Sequence, residues 1–387
     1  MGIGIATLGI GSAIATMLVK RRRIPALSRS AALNVLVVRP DRLGDVVLST
    51  PVFEAIKREF PKSHVTAWVK PFVKTLIENT PFVDEVVTWE TNGDKSGMGL
   101  GVLLAEIRKR RFDVAIVLQT ERKLARIVYK SGIPIRVGPW SKPHSFFFYN
   151  LGMRQHRSEV KMHEADYNLQ LLETLGIVRP EQRLPTRVHL EYSVRGEARE
   201  WLIGKGWSED RPLVAVHPGM GGSALNWPLK HYAELIRELA YEGRAVLVTG
   251  GITEANLLKE IQGWLGESSR QVIWYVAGPD KGLDFLAGLF SWSSVVVAPS
   301  TGPLHLAVAL GRPVVSFYPP IRVQSAKRWG PYVEDSSRAA VLSPEGICKE
   351  TFRCRKHRCE VNDDSCMRSL PVEDALKYTR RYLGEIK

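Results

Sequence analysis

The chain is poor in cysteine and short of acid. Four Cys in 387 residues cannot staple a scaffold of this size, which excludes a disulfide-built fold. The turn after the first strand-like run has neither a G-x-G-x-x-G fingerprint nor a G-K-[S/T] phosphate loop, so two common nucleotide signatures are missing there. No homeodomain, zinc-finger or RNP pattern appears, so a nucleic-acid binder using the basic run Arg108–Arg111 is a disfavoured reading. Acidic residues are outnumbered, 40 Asp plus Glu against 54 Lys plus Arg, for a formal charge of +14. A basic balance favours polyanionic partners, of which an anionic membrane face and phosphorylated substrates remain. What is present is ordinary for a globular protein, 44% apolar and 24% charged residues. At ~100–200 residues per domain, the length predicts two or three domains.

Residues 2–19 carry no charge, and Lys20, Arg21, Arg22 and Arg23 follow at once. At 1.5 Å rise such a run spans ~27 Å, about the thickness of a bilayer core. Gly, Ser and Thr dilute it, and its charges follow rather than precede it, unlike a secretory signal. The expectation is a membrane anchor or interfacial helix with the downstream chain cytoplasmic; an apolar tail is the plain alternative. From residue 31 the pattern changes. Strands are expected at Asn34–Arg39, Val65–Val69, Glu85–Trp89, Asp113–Leu118 and Ile133–Val137, with helices at Asp45–Phe60, Val102–Arg111 and Arg122–Lys130. Trp140–Gln155 reads as an aromatic loop and His163–Leu175 as an amphipathic helix, with a linker near residues 180–195. A second series follows, with strands at Leu213–His217, Ala245–Thr249, Val272–Val276, Val295–Ala298 and Val314–Phe317, and helices between them. This order implies parallel sheets covered on both faces. The expected division is residues 1–30, 31–185, 186–346 and 347–387, the last holding a Cys-rich segment and a final helix near Val372–Leu383.

Ligands of open α/β sheets bind beyond the carboxyl ends of strands, so the residues there matter most. The first strand runs into Arg39-Pro40-Asp41-Arg42-Leu43-Gly44-Asp45. Asp45 reads either as a helix cap or as a carboxylate facing the cleft, placed to accept a proton. The second series opens with His217-Pro218-Gly219-Met220-Gly221-Gly222-Ser223, a loop of accessible N–H groups suited to phosphate; Lys230 could reach the same anion. Ser300-Thr301-Gly302-Pro303-Leu304-His305 is a helix start with Pro in its first turn, and such a start binds anions. Glu254 follows a Gly pair, either complementing a helix dipole or bonding sugar hydroxyls. Cys348, Cys354, Cys359 and Cys366, with His357 among them, read as a structural metal site, a local cross-link or separate thiols, although only the middle spacing suits zinc.

Four stretches in this order resemble glycosyltransferase family 9, the heptosyltransferases of lipopolysaccharide core assembly: Val37–Pro51, His217-Pro218-Gly219 through Asn226-Trp227-Pro228, Thr249-Gly250-Gly251 with Glu254, and Ser300–Ala307. The resemblance implies a GT-B fold, an α/β architecture of two Rossmann-like, doubly wound domains facing across a cleft. It also implies a C-terminal helix that crosses back to the first domain. Asp45 would then be the base of an inverting, metal-independent transfer needing no cofactor. His217, Gly219, Gly221, Gly222, Ser223, Lys230, Glu254, Ser300, Thr301, Gly302 and His305 would bind a nucleotide-diphosphate sugar, with ADP-heptose the donor that the resemblance implies. Arg42, Gly44 and His163 would lie on the side of a lipid-linked glycan acceptor such as the lipopolysaccharide inner core. The implied setting is the cytoplasmic face of the inner membrane, with the anionic membrane surface as a partner. The chain departs from the family pattern at Leu225, where a cation is frequent, and at Ser300, where Asp is frequent. A non-catalytic module binding a nucleotide or an anionic lipid is the alternative reading.

Overall fold

The computed structural model describes residues 27–89, 99–278, 281–344 and 366–384. The apolar segment 2–19, the Lys20–Arg23 cluster and Cys348, Cys354 and Cys359 therefore lie outside the described residues. Within them, no helix is long and apolar enough to cross a membrane, and no three metal-ligating side chains gather.

Two six-stranded sheets form, each with every pairing parallel. The first contains β1 (Asn34–Val38), β2 (His64–Trp68), β3 (Glu85–Val87), β4 (Val114–Val117), β5 (Ile135–Pro139) and β6 (Leu151–Met153) in the order 3-2-1-4-5-6. The second contains β7 (Leu213–Val216), β8 (Ala245–Gly251), β9 (Val272–Ala277), β10 (Val295–Pro299), β11 (Val314–Phe317) and β12 (Ala339–Leu342) in the order 12-11-10-7-8-9. Both orders reverse once, beside β1 and β4 in one sheet and beside β7 and β10 in the other. Crevices open at such reversals. The strands are Val-rich because both faces are covered. In β1, Val35 and Val37 pack into one core while Leu36 and Val38 pack into another.

The sequence reading needs four corrections. The single helix expected over Asp45–Phe60 is two, Leu43–Val47 and Thr50–Glu59, because Pro51 lacks the N–H that would continue the first. The aromatic loop holds a short helix, Ser145–Phe148, and the edge strand β6. The expected linker ends in an unforeseen helix, Tyr192–Gly204, which buries only Ala198 and Leu202 and so carries little periodic signal. The final helix, Val372–Tyr382, does not cross back: Val372, Ala375 and Leu376 share a core with Trp227 and Tyr232 of the second half, and Arg380 pairs with Glu242.

The halves meet through helices. Leu43–Val47 lies against Gly302–Ala309, close enough that a Cβ on Gly302 would stand 2.9 Å from the Cβ of Leu43. A Cβ on Gly44 would stand 2.9 Å from Cδ2 of His305. These contacts bring the turn beyond β1 directly to the helix beyond β10.

Candidate active site

A cavity of about 410 Å³ lies at this meeting point, lined from the first half by Asp41, Arg42, Gly44 and Asp45. From the second half come Ser223, Ala224, Ser300, Thr301, Gly302 and His305, joined by Val323, Gln324, Arg328 and Trp329. Asp45 sits in the first turn of its helix and is not the N-cap, a position held by Arg42. Its Oδ1 accepts a hydrogen bond from Nη2 of Arg39, whose Nη1 donates to the Leu118 carbonyl at 2.5 Å. Arg39 is buried, 4% exposed. Burial raises the Asp45 pKa; the Arg39 charge opposes the rise, and the Asp41 and Glu164 charges add to it. The result is a carboxylate with more basicity than an exposed one.

Across the cavity, the helix Gly302–Ala309 begins at Thr301, whose side chain makes no capping bond. Pro303 occupies the first turn, so the free N–H groups there belong to its neighbours and the helix's positive end faces the cavity. His305 is buried, and its Nδ1 has no hydrogen-bond partner. Burial, helped by His163, pushes its pKa down to about 3. It is therefore a neutral imidazole at ordinary pH. Gly221 and Gly222 adopt φ of 58° and 69°, a left-handed pair that side chains disfavour and that turns Ser223 toward the cavity.

A second cluster stands at the ends of β7 and β8. His217 places Nδ1 3.0 Å from Oγ1 of Thr249 and Nε2 3.6 Å from Oε2 of Glu254. Burial lowers the His217 pKa and Glu254 opposes the shift. The same Glu254 oxygen accepts the Gly251 N–H at 2.8 Å, and a Cβ on Gly219 would collide with this carboxylate. Gly219 is thus required by Glu254.

Two expected residues lie elsewhere. Lys230 is exposed and sits 5.8 Å from the Trp264 ring centroid, away from the cavity lining. His163 caps its helix, accepting the Ala165 N–H on Nδ1 at 3.1 Å, while Nε2 donates to the Gly330 carbonyl at 2.9 Å. Burial lowers its pKa, consistent with this neutral tautomer, and it serves as a tie between the halves. Asn226-Trp227-Pro228 is a packing motif. Trp227 stacks on Phe317 at 4.2 Å and donates to the Leu370 carbonyl at 3.0 Å.

The sequence reading missed Arg39, Gln324, Arg328 and Glu164. Arg39 had a signal, a charge closing an apolar strand. Gln324 and Arg328 come from two short helical turns between β11 and β12, Arg322–Gln324 and Ala326–Trp329, and had none.

A buried carboxylate in the first turn of a helix beyond one parallel sheet faces a helix start beyond the other across a single cavity, an arrangement suited to a two-domain group transferase. The comparisons agree. The profile of glycosyltransferase family 9 (heptosyltransferase) matches residues 101–357. The chain is 32% identical over 321 residues to a Haemophilus influenzae protein provisionally named a glycosyltransferase, covering 81% of this chain and 90% of that one. It is 27% identical over 293 residues to lipopolysaccharide heptosyltransferase 2 of Escherichia coli K12, covering 74% and 83%. Among solved structures, the family 9 glycosyl transferase of Veillonella parvula superposes with a TM-score of 0.74 at 20% identity, covering 93% and 100% of the two chains. The E. coli ADP-heptose heptosyltransferase II gives 0.73 at 21% identity, covering 91% and 99%. The chain belongs to glycosyltransferase family 9, has the GT-B fold and is a glycosyltransferase.

Proposed function

We propose that this enzyme transfers a heptose from ADP-heptose to a lipopolysaccharide inner-core acceptor with inversion at the anomeric carbon. One observation carries the reading: Asp45 and the start of the Gly302–Ala309 helix line the same cavity from opposite halves. A single displacement needs a base behind the attacking hydroxyl and charge stabilisation behind the departing diphosphate. Asp45 takes the acceptor proton, the acceptor oxygen bonds to the anomeric carbon, and the bond to the diphosphate breaks. The N–H groups at Thr301–Gly302 and the Gly221–Gly222 turn receive the released charge. Glu254 and His217 supply bonding groups for the nucleotide's ribose or base. Heptose is favoured because the E. coli relative and the E. coli structure named above are heptosyltransferases. Transfer from ADP-heptose to truncated lipopolysaccharide, followed for the wild type and Asp45→Asn, tests this reading.

The enzyme works on an acceptor held in a membrane, and we assign the docking face to the helices Leu100–Lys109, Arg122–Ser131 and Ser145–Phe148. Phe146 and Phe147 are 52% and 70% exposed there, beside exposed Arg108, Lys109, Arg122, Arg126 and Lys142. Apolar rings among cations suit an anionic bilayer, with each cation near the surface contributing about 1 kcal/mol. Co-sedimentation with vesicles containing anionic lipid should fall several-fold in Phe146→Ser/Phe147→Ser. Undiminished binding would rule the face out.

A further inference from the structure

Glu164 is 2% exposed and lies behind the cavity rather than in its lining. It is the first residue of the helix Glu164–Gln170. Its Oε1 pairs with Nη1 of Arg157 and lies 3.7 Å from Nη2 of Arg39. Its Oε2 accepts from Nη2 and Nε of Arg328 at 3.2 and 3.3 Å. Burial alone would raise the Glu164 pKa; Arg157, Arg39 and Arg328 outweigh it, so the carboxylate stays charged. The same Nη2 of Arg39 that reaches toward Glu164 donates to Asp45. Arg157 has further partners, with Nε and Nη2 donating to Oε1 of Gln155 at 2.9 and 2.8 Å. Arg328 lines the cavity and belongs to the second half; Glu164 and Arg39 belong to the first.

We propose that Glu164 is a positioning residue for the transfer: through Arg39 it sets the charge and orientation of Asp45, and through Arg328 it ties that setting to the seating of the second half. This rests on Asp45 being the base. Arg39 can divide its Nη2 between two carboxylates only while Glu164 is anionic. Removing that charge leaves Arg39 entirely to Asp45 and makes Asp45 a weaker base. The groups around Asp45 from each neighbouring element are Arg39, Asp41 and Arg42 beyond β1, Glu164, Arg328 and the neutral His305. Among these, Glu164 and Asp41 are the anions, and Glu164 alone also holds a residue from the other half.

The experiment uses the full chain with Glu164→Gln and, as a charge-retaining control, Glu164→Asp. Two readouts are taken: the pH titration of the Asp45 carboxyl carbon by 13C NMR, assigned through Asp45→Asn, and the pH profile of kcat for transfer from ADP-heptose to truncated lipopolysaccharide. In Glu164→Gln the Asp45 titration and the acid limb of kcat both move to lower pH. The plateau kcat falls about tenfold or more, as expected for a misplaced reacting group, with the donor KM within about twofold of wild type. Glu164→Asp moves both curves the same way by less, and it carries the comparison alone if the Gln variant does not fold. An unshifted Asp45 titration in the folded variants overturns the proposal, whatever their melting temperature. Full transfer by Asp45→Asn would instead overturn the base assignment, so the two failures are distinct.

Discussion

At the scale of the residue, burial does opposite things to the two titratable groups that face each other in the cavity. It raises the pKa of Asp45 and lowers that of His305 to about 3. Desolvation always disfavours the charged form, so the acid becomes a better proton acceptor and the imidazole stays neutral. His305 therefore offers a hydrogen-bonding ring without placing a competing charge beside Asp45, the proposed base. The expected outcome is that the His305 ring resonances do not titrate between about pH 5 and 8, the range in which an ordinary histidine changes charge. A midpoint within that range would contradict the assignment. Asp45, Gly44, Thr301 and His305 were legible because each follows an apolar strand, where chemistry in this fold class sits. Glu164 was not legible: it is one acid in an amphipathic helix, and only the assembled structure shows three arginines closing on it.

At the scale of the element, the site depends on two short helices meeting at glycine. The Gly302 backbone approaches Leu43 so closely that no side chain fits between them without movement. Gly302→Ala should push Leu43–Val47 and Gly302–Ala309 apart. Overpacking of this kind costs about 1–3 kcal/mol, read by denaturant unfolding, and transfer should fall with it because Asp45 and the Thr301–Gly302 helix start, the proposed base and anion site, separate. Unchanged stability and activity would show that the interface yields freely. Strand and helix alternation was readable because buried parallel strands are continuous apolar runs, such as Val114–Val117 and Val295–Val297. Elements lacking that pattern were missed. β6 is three residues at an edge, with Gly152 wedged against the Gly138 carbonyl. The helix Tyr192–Gly204 packs through a close approach of Ala198 to Gly288 that leaves no wide apolar stripe. Asn226-Trp227-Pro228, a recognition motif in the sequence, anchors the C-terminal segment instead of touching the cavity.

At the scale of the molecule, the positive charge divides by location. Arg39, Arg157 and Arg328 are spent inside, neutralising Asp45 and Glu164. Arg108, Lys109, Arg122 and Arg126 lie exposed on the first half. Among the described residues, the excess base that composition alone could only match to polyanions gathers beside Asp45 and Glu164 and on the outer face of the first half. Ties between the halves run through His163 to Gly330, Asp166 to Tyr332 and Glu164 to Arg328. All three connect one short helix of the first half to residues 328–332 of the second, so the cavity and Asp45 are assembled together. The central claim is that Asp45 removes the acceptor proton in an inverting heptosyl transfer. Its most direct test is the transfer of heptose from ADP-heptose to truncated lipopolysaccharide by Asp45→Asn and wild type, with donor affinity and the product's anomeric configuration measured alongside. Loss of general-base catalysis lowers kcat by about 10²–10⁴-fold, and the account predicts that loss with donor binding retained and an inverted product from the wild type. Wild-type turnover by Asp45→Asn, or a product with retained configuration, would contradict it.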